Sequence, residues 1–134
     1  MLPVQVLIAD PDEALLEAYC EGLAFYGFKV ETATDGRGCL AKLKTFAPDV
    51  IVLESELPWD QGDEGPARRH DQFTVPLVPL IVLCQGPEPE QWDYMAGLSV
   101  SGSHMKPLSP TQLAYRIALV LQGVPRRRAR GTVK

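Results

Sequence analysis

Short apolar runs alternate along this chain with longer stretches in which apolar residues recur every three or four positions, a pattern that predicts strands separated by helices. Residues 4–9, Val-Gln-Val-Leu-Ile-Ala, are short, β-branched and nearly all apolar, as expected of a strand buried on both faces of a parallel sheet. Asp10 ends that run. Over residues 12–26, Leu15, Tyr19, Leu23 and Tyr26 share a face with Glu17 and Glu21 opposite, and Gly27 supplies a C-terminal stop, so the spacing predicts an amphipathic helix. Residues 28–33 alternate apolar and polar, which suits a strand near a sheet edge, and Thr34-Asp35-Gly36 follows as a turn. A second helix is expected over about residues 37–46, broken by Pro48 and Asp49 before the buried strand Val50-Ile51-Val52-Leu53, which Glu54 closes.

The second half is less regular. Gly62, Gly65, Pro66, Pro76 and Pro79 leave room for one short helix over residues 67–73. Leu80-Ile81-Val82-Leu83 is a fourth buried strand, residues 88–97 a short helix, and residues 98–105 a Ser- and Gly-rich strand ended by Lys106-Pro107. The last helix carries the strongest local signals: Ser109 as N-cap, Pro110 in the first turn and Gln112 completing a capping box, with Leu113, Ile117 and Leu121 on one stripe and Val120 alongside. Five such units imply a doubly wound parallel sheet with helices on both faces. Functional groups in these sheets gather at the carboxyl ends of the strands, which here bear Asp10, Glu54, Cys84 and Lys106.

At 134 residues with 46% hydrophobic and 22% charged positions, the chain holds one ordinary domain, expected over residues 1–123, and no second one. Charge modifies this picture. Five of the 13 basic residues, Arg126, Arg127, Arg128, Arg130 and Lys134, crowd into the end of the chain, so the domain itself is strongly acidic and residues 124–134 form a basic, aperiodic tail or linker. An acidic body argues against a nucleic-acid-binding face, and any such contact would have to use the tail. Cys20, Cys39 and Cys84 cannot all pair and sit in apolar stretches, as reduced, buried thiols do. With no signal peptide and no membrane-length apolar run, a cytoplasmic location is expected.

The four strand-end residues are where the chain resembles the CheY-like receiver domain of bacterial two-component response regulators. The resemblance covers about residues 4–121. It rests on Val6-Leu7-Ile8-Ala9-Asp10 with Asp12 close by, on Pro48-Asp49-Val50-Ile51-Val52-Leu53-Glu54-Ser55-Glu56-Leu57-Pro58, on Leu80-Ile81-Val82-Leu83-Cys84, and on Lys106-Pro107-Leu108. It implies a flavodoxin-like sheet of strand order 2-1-3-4-5. It also implies a cis peptide bond at Pro107 and a pocket in which an aspartate ending the third strand accepts a phosphoryl group beside a magnesium ion held by two acidic residues after the first strand.

Nearly every chemical position departs from that pattern. Glu54 stands at the acceptor, Pro11 at the second acidic position after Asp10, Cys84 at the hydroxyl position and Ser103 at the aromatic switch position, while Lys106 is kept. Magnesium requires hard oxygen ligands in near-octahedral geometry, and exchanging a carboxylate for proline removes one, so no tight magnesium site and no other cofactor is expected. The alternative is a metal held by Asp10, Asp12 and Glu54 with the carbonyl of Glu56. Glu54, one methylene longer than aspartate, would place its carboxylate where a phosphoryl group begins, in reach of Lys106. A permanent Glu54–Lys106 ion pair that imitates the phosphorylated state and a drifted residue in a dead site are both open readings. A thiol at Cys84 cannot replace a hydroxyl that reads a phosphoryl oxygen.

His70 and His104 show no metal spacing, and the acidic residues between Asp60 and Asp71 match no calcium loop. Trp59 and Trp92 are packing anchors or recognition aromatics. The expected function is that of a receiver-like signalling module, not an enzyme, which works by phosphorylation-independent protein contact. Its partners would be a signalling kinase, an output domain, a target protein or a second copy. The family's common contact face is the fourth and fifth helices with the strand between them, here about residues 88–121, with Tyr94, Met95, Tyr115 and Val120 to watch. The rivals are a receiver still phosphorylated or metal-binding through Asp10 or Asp12, and a nucleic-acid-binding regulator using the tail.

Overall fold

The computed structural model describes residues 3–58, 78–84 and 100–122. The helices expected over residues 67–73 and 88–97, the contact candidates Tyr94 and Met95, and the tail lie outside them. The described elements are β1 (Gln5–Ala9), α1 (Glu13–Phe25), β2 (Lys29–Ala33), α2 (Gly36–Lys42), β3 (Val50–Glu54), β4 (Leu80–Cys84), β5 (Val100–Met105) and α3 (Pro110–Gln122). The five strands form one parallel sheet in the order β2-β1-β3-β4-β5.

Side-chain alternation along the strands divides the core in two. Leu7 and Ala9 of β1, Ile51 and Leu53 of β3, and Leu80, Val82 and Cys84 of β4 face α2, where Cys39 is buried among them and Leu40, Leu43 and Phe46 pack alongside. Val6, Ile8, Val50, Val52, Ile81 and Leu83 face α1 and α3, and meet Leu16, Tyr19, Leu23, Leu113 and Ile117. All five residues of β3 and all five of β4 are buried, whereas Lys29 of the edge strand β2 is exposed, which is why the two central strands read as unbroken apolar runs.

The helix ends follow their local signals. Asp12 caps α1, its Oδ1 accepting from the Leu15 N–H at 3.2 Å. At the other end Gly27, at φ 91°, closes a Schellman motif in which the Gly27 N–H donates to the Ala24 carbonyl and the Phe28 N–H to that of Leu23. Asp35 caps α2 through the Gly38 N–H at 2.7 Å. At α3 the Ser109 Oγ accepts from the Gln112 N–H at 3.0 Å while Gln112 Oε1 accepts from the Ser109 N–H at 2.8 Å, a reciprocal capping box.

Three expectations need correction. Leu16 is buried while Leu15 is half-buried and Tyr26 is 49% exposed, because the contact stripe of α1 drifts around the helix and leaves the sheet before the last turn. α2 ends at Lys42, and the chain reaches Phe46 through turns. Cys20 is half-buried, unlike Cys39 and Cys84. No described helix is long and apolar enough to cross a membrane.

The closest helix approach is between α1 and α3, where a Cβ added at Gly22 would overlap the Pro110 side chain. Alanine in a helix is ordinarily worth about 1 kcal/mol over glycine, but overpacking against a rigid ring costs about 1–3 kcal/mol. Gly22→Ala is therefore expected to lower the urea midpoint at unchanged m-value; a rise would show that the two helices separate freely.

Candidate functional site

The same alternation that builds the core converges three charged side chains. Asp10 continues the Val6–Ile8 series of β1 and Glu54 the Val50–Val52 series of β3, so both side chains leave the sheet on the face that carries α1 and α3. Lys106 follows β5, where its N–H donates to the Cys84 carbonyl at 2.7 Å. Its Nζ lies 2.6 Å from Asp10 Oδ2 and 2.5 Å from Glu54 Oε1. Asp10 and Glu54 are 1% and 2% exposed. One ammonium thus bridges two buried carboxylates.

The second oxygen of each carboxylate is held by backbone in the same way. Asp10 Oδ1 accepts from the Asp12 N–H at 2.8 Å, and Glu54 Oε2 from the Glu56 N–H at 3.0 Å, with the Ser55 hydroxyl at 3.4 Å. No donor other than Lys106 reaches Glu54 Oε1 among the described residues. Burial alone would push the Lys106 pKa down. The hydrogen bonds and negative charges of Asp10 and Glu54 outweigh it and raise the pKa above the ordinary 10.5.

Tyr19, fully buried on α1, donates its hydroxyl to the Leu108 carbonyl at 2.7 Å and so ties α1 to the loop that carries Lys106. Burial pushes the Tyr19 phenol above 10.0; the Lys106 charge opposes the rise, and those of Asp10 and Glu54 add to it. An open cleft of about 310 Å³ beside the ion pair is lined by Asp12, Leu15, Tyr19, Lys106, Pro107 and Leu108. The Lys106–Pro107 peptide bond is cis.

Asp12 lies at the cleft but is exposed, and its carboxylate caps α1. Pro11 offers no ligand. Both oxygens of Asp10 and Oε2 of Glu54 accept hydrogen bonds, whereas Glu54 Oε1 meets Lys106 as an ion-pair contact only, and no group of three His, Cys, Asp or Glu suited to a metal occurs among the described residues. Cys84 is buried. Cys39, on the far face, is pushed up to about 12 by burial and by Asp35, which keeps it a protonated core thiol. Ser103 is exposed on β5 opposite Val82. His104 is half-buried, and burial, followed by the nearby Arg116 charge, holds it below 6.5.

Two features of the site were absent from the sequence reading: Asp10 as a second partner of Lys106, and Tyr19 as a strut. A tyrosine in a stripe otherwise filled by leucines was the available signal, since a buried phenol must place its hydroxyl. Val120, a contact candidate, is half-buried and packs with Leu121 against the α1–α3 side of the core, whereas Tyr115 is 60% exposed.

A parallel sheet in this order, with an acidic pair and a lysine meeting at its strand ends, defines a receiver domain, and the chain belongs to the response-regulator family. It is 29% identical over 120 residues to the alkaline phosphatase synthesis transcriptional regulatory protein PhoP of Bacillus subtilis, covering 88% of this chain and 48% of that one. It is 30% identical over 122 residues to the probable transcriptional regulatory protein TcrX of Mycobacterium tuberculosis, covering 90% and 50%. The chain thus spans about half the length of these relatives. Among solved structures, the chemotaxis response regulator CheY4 of Vibrio cholerae matches with a TM-score of 0.70 and 28% identity over 89% of this chain and 99% of that one. No protein-family model matches the chain.

Two variants probe the site. Lys106→Met leaves two carboxylates buried without their cation and is expected to cost about 3–5 kcal/mol at neutral pH. Because the Lys106 pKa is raised from 10.5, the contribution of the charged form is complete below that value and is lost as pH rises through the folded-state pKa. The stability gap between wild type and variant should therefore narrow in strong alkali; a gap independent of pH would refute the ion-pair account. Tyr19→Phe leaves the half-buried Leu108 carbonyl without its phenol donor, at about 1–3 kcal/mol, and ultraviolet titration should lose a late-ionising phenol. A titration curve that keeps this late component would place it on another tyrosine.

Proposed function

We propose that this receiver domain has exchanged phosphoryl transfer for a fixed ion pair and signals by protein contact. The observation that carries the reading is Lys106 Nζ held between Asp10 Oδ2 and Glu54 Oε1. In a phosphorylated receiver the conserved lysine answers a new anion. Here the Glu54 carboxylate supplies that anion permanently, with the longer side chain reaching toward the ammonium. Three further residues support the reading. Pro11 lacks a ligand where metal binding needs one, the Cys84 thiol is a weak donor, and Ser103 has no ring to swing between buried and exposed positions.

Protein contact is supported at the β5–α3 edge, where Met105, Tyr115 and Leu119 are 57%, 60% and 40% exposed and Arg116 lies over the Tyr115 ring at 5.9 Å. Tyr115 and Leu119 are one helical turn apart and present a joint apolar surface. The partners we propose are proteins: a signalling kinase, an output domain, a target protein or a second copy. The domain is proposed to act in the cytoplasm and to perform no catalysis of its own.

Treatment of the protein with acetyl phosphate and magnesium, followed by intact-mass measurement, tests the proposal. The expected result is an unchanged mass under conditions that phosphorylate a conventional receiver run in parallel. A stoichiometric gain of one phosphoryl group, mapped to Asp10, Asp12 or Glu54, would overturn it.

A further inference from the structure

The outer face of α1 has no partner among the described residues, and its composition specifies what would fit it. Glu13, Glu17, Glu21 and Phe25 follow at four-residue steps and share one ridge, all four exposed and Phe25 by 83%. At the C-terminal end of the ridge Tyr26, 49% exposed, meets Phe25 edge-on with ring centroids 5.2 Å apart. Its hydroxyl lies 3.2 Å from Thr111 Oγ1, which fixes the aromatic pair against the start of α3. Lys42 pairs with Glu31 and Lys106 with Asp10 and Glu54, and none of the three glutamates has an ion-pair partner among the described residues. Their field reaches the neighbouring Cys20, whose thiol is raised by burial first and then by Glu31, Glu17 and Glu21. Like charges four residues apart weaken a helix, and the last turn of α1 holds no basic residue to compensate.

An acidic ridge ending in exposed rings is complementary to closely spaced guanidinium groups, which pair with carboxylates and stack on aromatic faces. The chain carries such a segment, Arg126-Arg127-Arg128-Ala129-Arg130. Its reach suffices. From Thr111, beside Tyr26, α3 runs to Gln122, roughly 16 Å along its axis at about 1.5 Å per residue. Extended chain beyond Gln122 spans up to roughly 14 Å to position 126 and roughly 28 Å to position 130, so the far end of the run can return to Phe25 and Glu21.

We infer that residues 126–130 dock on the α1 ridge of the same chain, with the arginines paired to Glu17 and Glu21 and stacked on Phe25 and Tyr26. While docked, the segment closes this face to other basic partners. The inference goes beyond the function proposed above and uses neither Glu54 nor the phosphorylation state, so each can fail without the other.

The test is amide NMR of the full labelled chain while salt is raised from about 0.01 M to about 1 M, which shortens the screening length from roughly 30 Å to roughly 3 Å. Resonances of residues 17–26 and 126–130 should move together and identically at every protein concentration. The full-length variant with Arg126→Gln, Arg127→Gln, Arg128→Gln and Arg130→Gln should show the high-salt positions of the α1 peaks already in low salt. Glu17→Lys with Glu21→Lys should do the same, and replacing the four arginines by glutamate in that background should restore the salt-sensitive shifts. α1 peaks that are indifferent to the arginine substitutions overturn the inference. Shifts that grow with protein concentration also overturn it, by assigning the docked segment to a second copy.

Discussion

The pocket turns on a shortage of positive charge. Parallel pairing of β1 with β3 places Asp10 and Glu54 at adjacent strand ends on one face of the sheet, and α1 and α3 cover that face, so both carboxylates are out of water before any partner is chosen. Leaving either uncompensated would cost several kcal/mol. One ammonium serves both, and its surroundings keep it there: pairing of Lys106 to the Cys84 carbonyl, the Tyr19 strut on the following loop, and the capping box that starts at Ser109, three residues beyond Lys106. The backbone N–H groups of Asp12 and Glu56 share the remaining load by holding the second oxygen of each carboxylate.

On the function proposed above, this arrangement is a fixed pocket rather than a switch. A switch needs a group whose partner changes, and a bistable element that the change biases. Here three of the four carboxylate oxygens have a hydrogen-bond donor, the fourth, Glu54 Oε1, lies against the ammonium, and the cation has two anions at or below 2.6 Å. On the same reading Ser103 on β5, exposed and without a ring, offers no aromatic moving part. As proposed, such a pocket would hold one well-defined geometry for other proteins to recognise.

How much of this was legible in the sequence depended on whether the signal was local. The strands were plain because burial on both faces removes polar residues altogether, and the capping box of α3 was plain because it is written in four consecutive positions. Glu54 and Lys106 stood out at strand ends once the sheet was inferred. Asp10 as a second partner of Lys106 did not, because a charge shared by three residues from three strands depends on distances that no spacing encodes. The role of Asp12 was decided by competition: its carboxylate could turn toward the pocket or cap α1, and the orphan N–H groups at the start of the helix won. Leu16 displaced Leu15 in the core for a similar reason, since helical phase fixes only which residues share a face, and the packing of α1 on the sheet chooses its centre. Val120 follows the same logic, its half-buried position set by how α3 settles against α1.

The same scarcity of cations explains the surface. Lys42 pairs with Glu31 on the far side of the sheet and Lys106 is held in the pocket, and α1 is left with three glutamates at four-residue steps and no cation of its own. The negative potential along α1 therefore acts outward, toward whatever basic group comes within a screening length. The densest run of such groups in the same chain is the arginine run that follows α3, the helix packed against α1. Attachment to one chain gives that run an effective concentration in the range of millimolar, so even individually weak surface pairs can keep it in place while a free basic partner must compete.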